Sequence, residues 1–145
     1  MKPRSLGWIV GMVFFSALLG CEENPKSKEC ESFVGVVNPA VTSIQKMLNA
    51  SEGKSTVEEL TQLATSLDGM VQSAEGLYIT DEKLKQLNGS YQSMVKEIAA
   101  GARDMATAVA NVDADKMKAA KARIGAAVDK EDALVEDINA HCQAP

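Results

Sequence analysis

Apolar residues recur every three or four positions along four stretches of this chain, and this spacing is typical of amphipathic helices. The pattern predicts helices at about residues 31–50, 55–75, 81–111 and 113–142. No stretch alternates between apolar and polar residues as a half-buried strand does. Because short polar loops join the helices, we predict an all-α fold, an antiparallel up-down four-helix bundle. An elongated three-helix bundle, with its first segment broken at Pro39, is the alternative.

Residue types at the predicted helix ends support these boundaries. Ser55 and Glu58 have the spacing of a capping box at the start of the second helix. Thr80 is the predicted N-cap of the third helix. The pair Asn38-Pro39 interrupts the first helix, because proline lacks a backbone donor. It predicts either a kink or a helix start that is capped by Asn38.

The beginning of the chain has the pattern of an export signal. Lys2 and Arg4 precede a nearly continuous apolar run at residues 6–19. This run is shorter than the ~20 residues that a transmembrane helix needs. A positively charged start before a short apolar run is typical of a secretory signal.

The residues that end this run, Leu18-Leu19-Gly20-Cys21, resemble the signal of bacterial lipoproteins. The resemblance implies that Cys21 receives a diacylglycerol thioether and that the chain is cut before it. Glu22 follows the cysteine, where an aspartate holds many enteric lipoproteins at the inner membrane. The resemblance therefore favours the outer membrane. An ordinary cleaved signal and an uncleaved anchor, with Cys21 incidental in either case, are the alternatives.

These features divide the chain into three parts. A lipoprotein signal covers residues 1–20, a lipidated tether covers 21–29, and a helical bundle domain covers 30–145. The tether is polar and contains Pro25, which favours an extended segment. Its eight residues after Cys21 reach at most ~29 Å, so we expect the domain to lie close to the membrane.

Cys30 and Cys142 lie near the two ends of the predicted bundle domain. An up-down-up-down topology brings these ends together, and helical geometry turns both cysteines toward the core. Because an exported protein meets an oxidising compartment, we predict an intramolecular disulfide between them. Two buried free thiols, or a bridge between two chains, are the alternatives.

The charge of the chain argues against one class of partner. The chain has 15 Lys and Arg and 20 Asp and Glu, with a formal net charge of −5 at pH 7. Loss of the signal removes Lys2 and Arg4 and leaves the domain more acidic. An acidic domain without a basic face binds nucleic acid poorly, because that affinity depends on neutralising phosphates. We expect no nucleic-acid partner.

His141 is the one histidine of the chain, and it raises the question of a cofactor. A helical bundle with a histidine near the end of its last helix is similar in outline to the b-type four-helix-bundle cytochromes. Those cytochromes pair the histidine with a methionine near the start of the first helix, and residues 30–34 contain none. We expect no cofactor and no metal site, and we expect His141 to pair with Asp137. We also predict no enzymatic activity, because no catalytic motif is present.

Together these features favour a lipid-anchored cell-envelope lipoprotein, a non-enzymatic helical module that presents a surface to a protein partner. It would contact the membrane through lipidated Cys21 and face the periplasm or the cell surface, with the outer membrane favoured. The alternative is a periplasmic four-helix-bundle carrier or sensor whose core binds a small apolar ligand or haem.

Two further positions are candidates for a special role. Tyr78, in the turn after the second helix, is predicted at the Cys30 end as an interface with lipid or a partner. Alternatively, Tyr78 only covers the bundle end. Glu131 falls on the apolar arc of the fourth helix, so we predict that it is partly buried with a raised pKa. We expect it to bond the Tyr91 hydroxyl or the Gln45 amide; the alternative is a bent helix that exposes Glu131 to water.

Overall fold

The structure is a computed structural model that describes residues 24–50 and 55–144, and for residues 40 and 45–50 the backbone alone. Within these ranges it contains no strand and five helices: α1 Pro25–Ala50, α2 Val57–Glu75, α3 Glu82–Ala110, α4 Ala114–Val128 and α5 Glu131–Gln143. The prediction of an all-α helical bundle is confirmed. The predicted signal, Cys21 and residues 51–54 lie outside the described residues.

The first helix begins at Pro25, six residues before the predicted start at residue 31. The side chain of Asn24 accepts a hydrogen bond from the Lys26 N–H at 3.1 Å, as an N-cap does. Proline is favoured at the first helical position because it has no N–H to satisfy there. Pro25 therefore starts the helix instead of marking a tether. Pro39 lies inside α1, which continues past it.

The N-caps of α2 and α3 are each one residue later than predicted. Thr56 and Glu59 form the capping box of α2, with the Glu59 N–H donating to the Thr56 hydroxyl at 3.2 Å. The adjacent pairs Ser-Thr and Glu-Glu satisfy the same spacing in two registers, so the pattern alone does not choose between them. Asp81 replaces Thr80 as the N-cap of α3, and its carboxylate accepts the Leu84 N–H at 2.7 Å.

The predicted fourth helix is divided in two by a turn at Asp129 and Lys130. An unbroken helix would carry Glu131 into the middle of the apolar seam between Val128 and Leu134. The break makes Glu131 the first residue of α5. A carboxylate at that position is stabilised by the positive end of the helix dipole, which lowers the cost of burying it.

α3 lies at the centre and packs against each of the other four helices. The start of α1, the 76–81 turn and the end of α5 meet at one end of the bundle, which we call the disulfide end. The start of α2 and the α3–α4 turn meet at the opposite end, which we call the far end. This is the arrangement that alternating helix directions require. The largest fully buried side chains are Tyr91, Phe33, Ile44, Leu67, Leu84, Ile98 and Val95.

α3 and α4 approach each other closely at Gly101. A Cβ atom at this position would lie 2.5 Å from Cγ1 of Ile124, so a larger residue would not fit without movement. Next to this contact, the Arg123 guanidinium bridges Glu97 at 2.9 Å and Asp104 at 2.8 Å. These pairs are exposed, and each adds little to stability by itself.

Candidate functional site

A disulfide links Cys30 of α1 to Cys142 of α5, with 5.7 Å between their Cα atoms and a separation of 112 positions in sequence. Cys30 is buried and Cys142 is partly buried against the core. The pairing is the one predicted from the sequence. Beside it, the Lys26 ammonium donates to the carbonyl of Ala144 at 2.8 Å. The start of α1 and the end of α5 are therefore joined by a covalent and a polar contact.

The Glu29 carboxylate joins α1 to the turn between α2 and α3. It accepts the Thr80 N–H at 2.9 Å, the Asp81 N–H at 3.0 Å and the Thr80 hydroxyl at 2.5 Å. These hydrogen bonds hold the pKa of Glu29 below its ordinary value, and the bond from the Thr80 hydroxyl contributes most. Local sequence carries no signal for this contact, because Glu29 is 51 and 52 positions away from the residues that it binds.

His141 contacts Asp81 and not Asp137, so the predicted pairing within the helix is wrong. The Nε2 atom of His141 lies 2.9 Å from the Asp81 carboxylate, and both side chains are partly buried. The N–H of Leu84 is the main cause that lowers the pKa of Asp81, and His141 lowers it further. Because the α3 N-cap faces α5 across the disulfide end, His141 contributes to helix packing at this site.

Tyr78 lies in the turn at the disulfide end and is 86% exposed. It therefore does not cover the end of the bundle. Its neighbours differ, since Ile79 is buried and Leu77 packs partly against the core. The turn thus holds Tyr78 between two anchored apolar residues and directs its side chain to solvent.

Glu131 is buried, with 7% of its surface exposed, and the prediction of its burial is confirmed. Burial raises the pKa of Glu131, and the charge of Asp132 raises it further. The predicted bond from Tyr91 is wrong: the Tyr91 hydroxyl donates to the carbonyl of Val36 at 3.5 Å. Tyr91 faces α1 at this point, and burial raises its pKa to about 12. The side chain of Gln45 lies outside the described residues.

We expect Glu131→Gln to stabilise the protein by about 1 kcal/mol at pH 7, because it removes a buried charge and keeps the shape. A raised pKa in the folded state means that the proton stabilises the fold. This contribution is complete below the unfolded pKa and is lost as the pH rises through the folded pKa. The advantage of the variant should therefore shrink between pH 7 and pH 4, as measured by urea unfolding.

Glu136→Gln is the matched control for this experiment, because Glu136 is exposed on the same helix. The control should change the free energy of unfolding little at either pH. If the two variants changed the free energy of unfolding equally, or if Glu131→Gln lowered it at pH 7, burial of the charged Glu131 carboxylate would not destabilise the fold as described.

The turn between α3 and α4 is unusual because Val112 adopts a positive φ of 52°. The Asp113 N–H donates to the carbonyl of Ala108, and the Val112 N–H donates to that of Val109. These bonds form a Schellman motif, in which glycine is the usual residue at the position of Val112. The sequence contains a signal for this unusual backbone conformation. The helices predicted at 81–111 and 113–142 leave Val112 as the single residue that links them, so the chain has to reverse direction there.

A groove of about 360 Å³ opens at the far end between α2 and α3. Its lining residues are Val57, Thr61, Arg103, Ala106, Thr107, Ala110 and Asn111. Arg103 is paired with Asp68 of α2. The groove lies on the surface and not in the bundle core, where a carrier would hold haem or an apolar ligand.

One buried acceptor lacks a partner within the described residues, the Oδ1 atom of Asn88. Its amide nitrogen donates to the carbonyl of Ala74 at 2.9 Å and so completes the end of α2. No group of three His, Cys, Asp or Glu residues is placed to hold a metal ion in residues 24–50 and 55–144. In the same part of the chain, no helix is long and apolar enough to span a membrane.

Comparison with known protein families, curated proteins and solved structures found no match to this chain. The fold and the contacts at the disulfide end are therefore the basis for a functional proposal, together with the lipoprotein-like signal.

Proposed function

We propose that this protein is a lipid-anchored, non-enzymatic helical module of the bacterial cell envelope, with the outer membrane as its favoured site. The observation that carries the proposal is the sequence Leu18-Leu19-Gly20-Cys21 a few residues before the first helix. Cys21 would bear the lipid. Two or three acyl chains form a durable anchor, since each buried CH₂ contributes ~0.8 kcal/mol.

The fold supports a role in which the module holds a surface at a fixed distance from the membrane. α1 begins at Pro25, so the described bundle starts four residues after Cys21. The disulfide between Cys30 and Cys142 joins both termini of the bundle close to this point. The helices lead away from the anchor, and their exposed faces are available to an envelope protein partner.

Cys21→Ser tests the anchor in cells. Without the thiol no thioether forms, so we expect the protein to remain unprocessed or to leave the membrane fraction. Fractionation of cells that express each form measures this, and the control is Ser32→Ala, an exposed change in α1. Equal membrane retention of the Cys21→Ser variant with normal processing would argue against the anchor.

An absorbance spectrum and a mass spectrum of the purified protein distinguish the proposed interaction module from a carrier. Haem in the bundle would give a Soret band in the purified protein, and a bound lipid other than the anchor would appear in its mass spectrum. We expect neither signal from an interaction module. Cross-linking in intact cells, with the anchored protein and the Cys21→Ser variant compared, would then identify the partner.

A further inference from the structure

The disulfide end carries an aromatic side chain, that of Tyr78, which does not pack against the core. Tyr78 is 86% exposed, while the residues on both sides of it pack inward. The turn is held in place by Glu29, which binds both Thr80 and Asp81. An ordered turn therefore presents a tyrosine ring to the surroundings of this end.

The few residues between Cys21 and α1 limit how far the disulfide end can lie from a lipid on Cys21. Only residues 22–24 separate Cys21 from the first residue of α1 at Pro25. A chain of this length spans at most about 14 Å, even when it is fully extended. A lipid on Cys21 would therefore hold the start of α1 within that distance of the bilayer surface.

Tyr78 lies at the same end of the bundle as the start of α1. Thr80 bonds Glu29, which is one helical turn, or about 6 Å along the axis, above Pro25. Tyr78 is two residues before Thr80, so it lies within about 7 Å of that level. The ring and the anchored end of α1 thus face the same surface.

We propose that Tyr78 rests in the headgroup region of the lipid bilayer and orients the bundle upright on its disulfide end. Tyrosine suits this region because its ring is apolar and its hydroxyl is polar, and such residues form the aromatic belts of membrane proteins. The inference rests on the anchor at Cys21 proposed above, and it adds a second contact and a defined orientation.

Val112 is an exposed residue at the far end with which Tyr78 can be compared. It is 84% exposed, nearly as much as Tyr78, but it lies at the far end beyond the 29 residues of α3. A helix of this length separates the two ends by about 43 Å. An upright bundle keeps Val112 in water, whereas a bundle that lies flat with its Tyr78 and Val112 side on the membrane brings both residues to lipid.

Tryptophan fluorescence tests the orientation on vesicles. Trp8 is the one tryptophan of the chain and belongs to the predicted signal, so Tyr78→Trp and Val112→Trp each give a mature chain with a single tryptophan. Cys21 is the one cysteine outside the disulfide. Its thiol can be coupled to phosphatidylcholine vesicles that carry a maleimide-headgroup lipid and a phospholipid brominated near the top of the acyl chain.

We expect the emission of the Tyr78→Trp protein to shift to the blue and to be quenched by the brominated lipid. The Val112→Trp protein should keep the spectrum that it has in solution. Unchanged emission of Tyr78→Trp on vesicles, or equal quenching of both variants, would overturn the inference. Thermal unfolding followed by circular dichroism should show that both variants keep the wild-type fold.

The chemical coupling separates this inference from the proposed function. Coupled protein has the geometry of the anchored form whether or not cells attach lipid to Cys21. Quenching of neither variant, with lipid found on the native protein, would leave the anchor in place and remove the role of Tyr78. Native protein without lipid, combined with selective quenching of Tyr78→Trp, would remove the anchor and keep the bilayer contact as a property of the disulfide end.

Discussion

Replacement of both Cys30 and Cys142 by alanine is expected to lower the free energy of unfolding by about 4 kcal/mol, a large part of the roughly 5–15 kcal/mol that is typical of a folded domain. The disulfide closes a loop of 112 residues. In the chain-entropy model, such a long loop restricts the unfolded state strongly and so stabilises the fold. Urea unfolding of a chain that begins at residue 21, followed by circular dichroism, measures the loss.

Two controls define this effect. Cys21→Ala removes the cysteine outside the disulfide and should leave the free energy of unfolding unchanged. Addition of a reductant should lower the stability of the wild-type protein to that of the double variant and should not affect the variant itself. A double variant as stable as the oxidised wild-type protein would contradict a structural role for the bridge.

Phe33→Ala is expected to lower the free energy of unfolding by about 3–5 kcal/mol, because it removes a large side chain from a closed site. Phe33 is fully buried, and its ring packs edge-on against that of Tyr91, with 6.0 Å between centroids. Edge-to-face ring pairs stabilise a fold by about 0.5–1.5 kcal/mol beyond the free energy gained from burying the rings. The variant thus tests how firmly α1 is attached to α3.

Tyr91→Phe is the matched control for the ring contact. It keeps the aromatic pair and removes only the hydroxyl that bonds the carbonyl of Val36, a long contact of 3.5 Å. We expect a loss of about 1 kcal/mol or less in the free energy of unfolding. If Phe33→Ala cost no more than Tyr91→Phe in the same urea titration, α1 would not be packed on the core as described.

The buried faces of the helices were predictable because they depend on local spacing. The apolar spacing of α2 predicts a buried seam from Val57 to Ala74, and this seam is buried from Leu60 onward, whereas Val57 is 39% exposed. Most of the apolar residues that recur every three or four positions along α3 are buried too. The disulfide followed from the same reasoning, since an even number of crossings brings Cys30 to Cys142. Each of these predictions needs only the helical period and the order of the helices.

Helix ends and polar contacts were less predictable for physical reasons. Ser55 and Thr56 are both favoured N-cap residues, and the choice between them depends on where α2 packs. The contact of His141 with Asp81 depends on how α5 is rotated toward α3, which local sequence does not specify. A proline in a polar segment suits a tether, but proline also suits the first position of a helix, which is the role of Pro25.

Glu131 shows how two predicted alternatives combined in one structure. The helix does break near it, as the alternative proposed, yet the residue stays buried. The helix can break and Glu131 can stay buried because the break places its carboxylate at the first residue of a new helix. Pattern analysis identified the conflict between a charge and an apolar seam but not the backbone change that accommodates it.

The anchor at Cys21 is the central claim, and the intact mass of protein extracted from membranes tests it most directly. We predict a chain that begins at Cys21, contains the Cys30–Cys142 disulfide and carries the added mass of a diacylglycerol thioether, with or without an acyl group on the new amine. A membrane-extracted chain with a free Cys21 thiol, or one that retains residues 1–20, would contradict the claim.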